Sequence, residues 1–188
     1  MEISNNVTGL LEQFNHTIQQ WINQLDNYSI EMLCQRPQAD AWSLGQVYIH
    51  IIEDTTFYLE QMKVALASKN RYAERSMRSL ARTMFENNEF PDMALENPFN
   101  DIDLRPPQSK DEVLQGLTSI KEEVNQLFRH IDLSSAKGKT EHPGFAFFDA
   151  FEWLQFAEMH MRHHLRQKRR IDEKLFPYLL DDRGKFTA

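Results

Sequence analysis

Four segments of this chain repeat their apolar residues every three or four positions, a spacing that only a helix buries on one side. In the first, Leu10, Leu11, Phe14, Ile18, Trp21, Ile22 and Leu25 share a face. The second opens at WSLGQ, where Ser43 caps the free backbone N–H groups and Gln46 reaches back. Its stripe runs through Leu44, Val47, Ile51, Tyr58, Met62 and Leu66. SKDE at 109–112 opens the third with another capping box, its two acids near the positive end of the helix dipole; Val113, Leu117, Ile120, Val124, Leu127 and Ile131 follow. The fourth is expected from about Phe147 to about Leu175.

No segment shows the sustained alternation of a strand, so the expected class is all-α, and four amphipathic helices pack most economically as a four-helix bundle. The second and third helices are separated by a long connection, roughly 70–108, which includes NEFPDMALENPFNDIDLRPPQ. Its Pro, Asn and Asp content opposes a continuous helix, though RYAERSMRSLARTMF suits a short one. A connection of this length implies a crossover or a functional lid.

With 188 residues, one domain spanning 1–188 is the default. A formal net charge of -7 repels nucleic acid and anionic membrane alike. Cys34 is the only cysteine, which excludes an intrachain disulfide and favours a small core side chain over a nucleophile. MEISNNVTGLLEQF lacks the pattern of a secretion signal and no stretch is apolar enough for a membrane span, so a cytoplasmic location is expected.

The residues that carry chemistry are in HMRHHLRQ, 160–167. At about 100° per residue, His164, Trp153, Phe156, Ala157, Gln167 and Ile171 fall within about 60° of the His160 direction. Arg162, Arg166 and Arg169 fall opposite with Glu158, which is i,i+4 from Arg162 and suits a solvated ion pair. The arginines therefore read as an outer face and the two histidines as interior. Two imidazoles a turn apart in a core need hydrogen-bond partners or a divalent cation, and the pair alone does not choose between these. On the second helix His50 lies at the margin of the stripe and Asp54, one turn later, nearly in its middle. That aspartate is a metal ligand, a partner of a ligating imidazole, or a salt-bridge acceptor. His163 is a flanking residue or rival ligand. His16, His130 and His142 lack partners at ligand spacing, although His142 precedes Pro143-Gly144 in a loop that could face the site.

AWSLGQVYIH and EWLQFAEMHMRHHLRQ together resemble the paired signatures of the DinB/YfiT-like superfamily. In that family a W-S-x-G-Q-x-x-x-H element supplies one histidine and an H-x-x-x-H element two. The turn HPGF resembles a subgroup of it, and the order and spacing of the four helices agree. The resemblance implies a bundle of up-down-down-up order with a divalent metal held by His50, His160 and His164. It also implies the activities found among members: transfer to low-molecular-weight thiols such as bacillithiol or mycothiol, thiol-dependent isomerisation, or hydrolysis. Dimers are frequent among them, so a homodimer is one implied assembly.

Three neutral imidazoles leave coordination positions open, as a reactive centre requires, and favour Zn(II) or Ni(II) over Mg(II). The expected function is a metal-dependent enzyme that activates a thiol or water toward a small-molecule substrate, with Asp54 as orienter or base and Gln167 as a polar pocket group. The alternative is a non-catalytic bundle that binds metal or a small ligand as a stress or interaction protein; a purely structural bundle without metal is the third reading.

Overall fold

A computed structural model describes residues 2–91, 104–129 and 136–180, with side chains from residue 7 onward. Ile131, His130, residues 92–103 of the long connection and the DDRGK tail lie outside the described residues.

The four predicted helices are α1 (Glu2–Leu25), α3 (Leu44–Ala67), α5 (Lys110–Arg129) and α6 (Ala150–Leu175). A one-turn helix α2 (Ile30–Cys34) sits between the first two, and α4 (Ser79–Asn87) is the short helix foreseen in the long connection. α1 and α3 each pack against both α5 and α6, so α1 is diagonal to α3. Directions follow from which ends meet. Gly45 at the start of α3 adjoins Pro107 just before α5, and Gly138 before the last helix adjoins Ser68 at the end of α3. α3 and α5 therefore run the same way and α6 runs back, which gives the up-down-down-up order. Phe14, Ile18, Trp21, Val47, Tyr48, Ile51, Met62, Leu117, Val124 and Trp153 fill the core. Among the described residues, no helix is long and apolar enough to cross a membrane.

Local chemistry explains the helix starts. Ser43 and Gln46 close a full capping box on α3, with Gln46 N to Ser43 Oγ at 3.2 Å and Ser43 N to Gln46 Oε1 at 2.9 Å. At α5 only half of the expected box forms. Ser109 Oγ accepts from Glu112 N at 3.1 Å, but the Glu112 carboxylate instead takes the Gln108 N–H at 2.7 Å and pairs with Arg105.

Three expectations give way. An antiparallel hairpin, β1 (Lys139–His142) and β2 (Ala146–Asp149), precedes α6, which starts at Ala150 and not at Phe147. Strands of four residues are too short to display alternation, whereas Asp149 and Glu152 form a capping box that is readable as D-x-x-E. Cys34 is exposed, with its Sγ 3.9 Å from Pro107 O, because α2 lies on the outside of the bundle. Lastly, Glu158 is buried, and its pair with Arg162 (Oε2 to Nη2, 2.7 Å) is not a solvated one; Thr17 Oγ1 donates to it at 2.9 Å. α6 is covered by α1, by α3 and by the chain leaving α4, so it has no continuous wet side. Arg162 donates to Asn88 O at 2.9 Å, and Arg166 donates to Phe90 O at 2.8 Å and to Glu89 at 2.7 Å. Only Arg169, paired with Glu173, behaves as an outer-face residue.

Candidate metal centre

The first half of the W-S-x-G-Q-x-x-x-H element builds the frame for its histidine. Trp42 packs on the His50 ring at 4.9 Å, and the capping box starts α3 at a fixed residue. Gln46 Nε2 also donates to Leu104 O, tying down the chain that enters α5. Any side chain at Gly45 would collide with Pro107 Cδ at 2.6 Å and Leu33 O at 2.7 Å, so the close approach of α2 and residue 107 requires glycine.

On this frame His50 meets His160 and His164 of α6. Each offers a ring nitrogen, and the three donor atoms lie within 4.8 Å of one another, the one such set of His, Cys, Asp or Glu among the described residues. Ring centroids are 5.1 Å apart for His50 and His160, 4.7 Å for His50 and His164, and 4.5 Å for His160 and His164. The Nε2 atoms of His160 and His164 stand 3.0 Å apart. Two nitrogens each about 2.0–2.1 Å from one zinc-type ion, at roughly 90–110°, would be about 2.8–3.4 Å apart, so this pair already has ligand spacing.

Proton positions follow from partners. Gln167 Oε1 can only accept, and it lies 2.7 Å from His164 Nδ1. That nitrogen therefore carries the hydrogen and Nε2 presents its lone pair to the site. Without a cation the 3.0 Å contact needs His160 Nε2 to donate, which leaves His160 Nδ1 a bare lone pair; it is buried and has no hydrogen-bond partner. A cation between the two nitrogens would move the His160 hydrogen to Nδ1 and turn both Nε2 lone pairs to one point. Burial also disfavours the imidazolium forms. It pushes His164 down to about 3, lowers His160 well below the usual range with the neighbouring histidines adding to the effect, and lowers His50 against the pull of Asp54. The donor set is thus three neutral imidazoles, which fits a divalent cation that prefers nitrogen ligands and not magnesium, which prefers oxygen.

Asp54 is not at the centre of the α3 stripe, a place taken by fully buried Thr55. Its Oδ2 lies at the rim of the site, 3.6 Å from His50 Nε2 and 3.7 Å from His160 Nε2, and accepts from Tyr58 Oη at 3.1 Å. Burial raises its pKa, opposed by His50 and by the Tyr58 bond. Gln167 stands behind His164, where it orients the ring. His163 turns aside: its Nδ1 faces Arg166 Nη2 at 3.0 Å and its ring lies 5.4 Å from Phe90. His16 is exposed. His142 does come near, across the rings of Tyr58 (6.5 Å) and Phe156 (4.9 Å).

Two participants escape the sequence reading. Tyr58 was legible, since His50, Asp54 and Tyr58 form an i,i+4 ladder along one edge of α3. Phe90, packed 5.9 Å from the His160 ring, carries no local signal because it reaches the site from a loop. A cavity of about 670 Å³ between the α1–α2 turn and the start of α5, lined by Tyr28, Glu31, Lys110 and Asp111 among others, includes none of the three histidines.

The DinB superfamily model matches residues 10–167. The chain belongs to the DinB superfamily. Among solved structures it is similar to YfiT from Bacillus subtilis, described as a probable metal-dependent hydrolase with an unusual four-helix bundle topology. The likeness has a TM-score of 0.62 at 12% identity and covers 90% of this chain and 87% of YfiT, which shows the shared fold. No curated protein sequence matches.

Proposed function

We propose that this DinB-superfamily protein is a metal-dependent enzyme in which His50, His160 and His164 hold a divalent cation, zinc or nickel. The reaction we assign is activation of a low-molecular-weight thiol or of water toward a small-molecule substrate, as an S-transferase or a hydrolase. The observation that carries the reading is the convergence of three neutral imidazoles with His160 and His164 at ligand spacing. The description of YfiT as a probable metal-dependent hydrolase agrees with it.

Bound to these nitrogens, the cation supplies Lewis acidity that brings the pKa of a coordinated water or thiol toward neutrality. The chain does the rest. Gln167 fixes the His164 tautomer, Trp42 and Phe90 pack on ligand rings, and Asp54 Oδ2 is placed to take a proton from the nucleophile. A carboxylate whose pKa is raised by burial is a better match for that task than a solvated one. The Tyr58 hydroxyl holds it in place.

One observation favours the second reading, a non-catalytic metal- or ligand-binding bundle: His160 and His164 are each only 7% exposed. Two measurements decide. Metal analysis of protein purified without chelator should give about one zinc or nickel per chain, lost in His164→Ala. Thiol conjugation to monochlorobimane with several thiols, and hydrolysis of small esters, should show metal-dependent turnover that His164→Ala abolishes. Stoichiometric metal without turnover supports the binding bundle, and absence of metal overturns the enzyme reading and the metal-binding form of the second.

A further inference from the structure

His142 has no part in holding a cation, yet its surroundings are unlike those of an ordinary turn residue. It ends β1, and Gly144 N–H donates to its Nδ1 at 3.0 Å. An imidazole nitrogen that accepts carries no hydrogen, so in the neutral ring the hydrogen is on Nε2. The ring lies nearly parallel to Trp153 (5.3 Å, 29°), with Phe145 and Phe156 at 4.9 Å and Phe148 at 5.4 Å. These neighbours offer no acceptor, and no described residue takes the Nε2–H. The aromatic surroundings keep the ring neutral, since desolvation pushes its pKa down to about 4. Tyr58 and Phe156, which flank His142, also flank the metal-ligand candidate His160, at 5.7 and 6.4 Å. A neutral donor with a fixed tautomer therefore borders the same aromatic wall as His160, and Tyr58 in that wall holds Asp54.

We propose that His142 is a substrate-orienting residue whose Nε2–H binds an oxygen acceptor, a carboxylate or carbonyl, on a molecule whose other end approaches His50, His160 and His164. The inference rests on the metal-site reading. A neutral imidazole acts here as a hydrogen-bond donor, not as a proton source, and can stabilise negative charge on that oxygen without a proton transfer. The Gly144 amide is what makes the assignment specific, because it removes the alternative tautomer.

The test uses the full chain loaded with Co(II), whose visible spectrum reports ligands entering the centre. The probes are 3-mercaptopropionate, which carries a carboxylate beyond its thiol, and 1-propanethiol, which does not. In the native chain mercaptopropionate should bind more tightly. His142→Phe, which keeps the stacked ring but has no donor, should weaken mercaptopropionate by about three- to tenfold and leave propanethiol within twofold. His142→Gln, which restores an N–H, should recover most of the loss. Loss of both thiols in equal measure, or of neither, overturns the proposal while leaving the metal site standing. A native chain that gives no cobalt spectrum overturns both, and by a different signal. Nitrogen-15 spectra of the metal-free protein give a check that needs no variant: Nδ1 of His142 should appear unprotonated and Nε2 protonated, and the reverse sinks the inference.

Discussion

Replacing Gln167 with leucine tests the organisation of the site more sharply than removing a ligand does. Gln167 touches the site only through His164, by the 2.7 Å bond from His164 Nδ1 to its Oε1. Leucine has similar bulk but no acceptor. Ligation through Nε2 would then leave a buried Nδ1–H without a partner, which costs about 1–3 kcal/mol. Moving the hydrogen to Nε2 instead would turn the lone pair away from the site. Either route lowers affinity, and outer partners of metal-bound histidines are typically worth about 10- to 100-fold, or about 1.4–2.8 kcal/mol at 1.4 kcal/mol per tenfold. Competition for Zn(II) against a chromophoric chelator near neutral pH measures this directly, with circular dichroism confirming the fold. Gln167→Glu keeps an acceptor and should bind within a few-fold of the native chain or more tightly. Native affinity in Gln167→Leu would refute the tautomer argument. A loss as complete as that of His164→Ala would refute the assignment of Gln167 as an orienting residue.

The remaining predictions concern the fold around the site. His142 and His164, at about 4 and about 3, titrate below an unfolded-chain histidine at about 6.5. The unfolded chain binds protons first, so their contribution to metal-free stability is whole above about pH 6.5 and drains as the pH falls toward those lower values. Urea unfolding of the metal-free chain should show a loss of up to about 2 kcal/mol per histidine between pH 6.5 and 5, with a shallower slope in His142→Phe; equal slopes would refute the linkage. Gly45→Ala should destabilise by about 1–3 kcal/mol despite alanine's better helix propensity, because its methyl meets Leu33 O and the Pro107 ring; an unchanged urea midpoint would contradict the close approach. Lys168 Nζ donates to Tyr28 Oη at 2.7 Å and Asp172 Oδ2 at 2.6 Å in a fully buried cluster. Lys168→Met should therefore cost about 3–5 kcal/mol, most of which a second change, Asp172→Leu, should recover.

Much of the site was legible because its parts are local. A capping box, a glycine, a tryptophan and a histidine within the nine residues 42–50 that begin α3, and a pair of histidines one turn apart on α6, are each legible locally, and the family signature joins the two elements. What sequence could not supply is the side of α6 opposite the histidines. A helix with one wet face exposes its arginines, and on that assumption Arg162 and Arg166 belong in solvent. In the folded chain, the residues just after α4 lie along that face. Arg162 and Arg166 therefore serve as donors to Asn88 O and Phe90 O, carbonyls that would otherwise lack partners in a segment without regular structure. The same bonds bring the Phe90 ring to 5.9 Å from His160. Helical periodicity assigns faces without saying what covers them, and here the cover comes from the long connection whose composition showed only that it was not one helix. The basic residues beside the histidines are thus part of the site's construction: they anchor the loop that closes one wall of it.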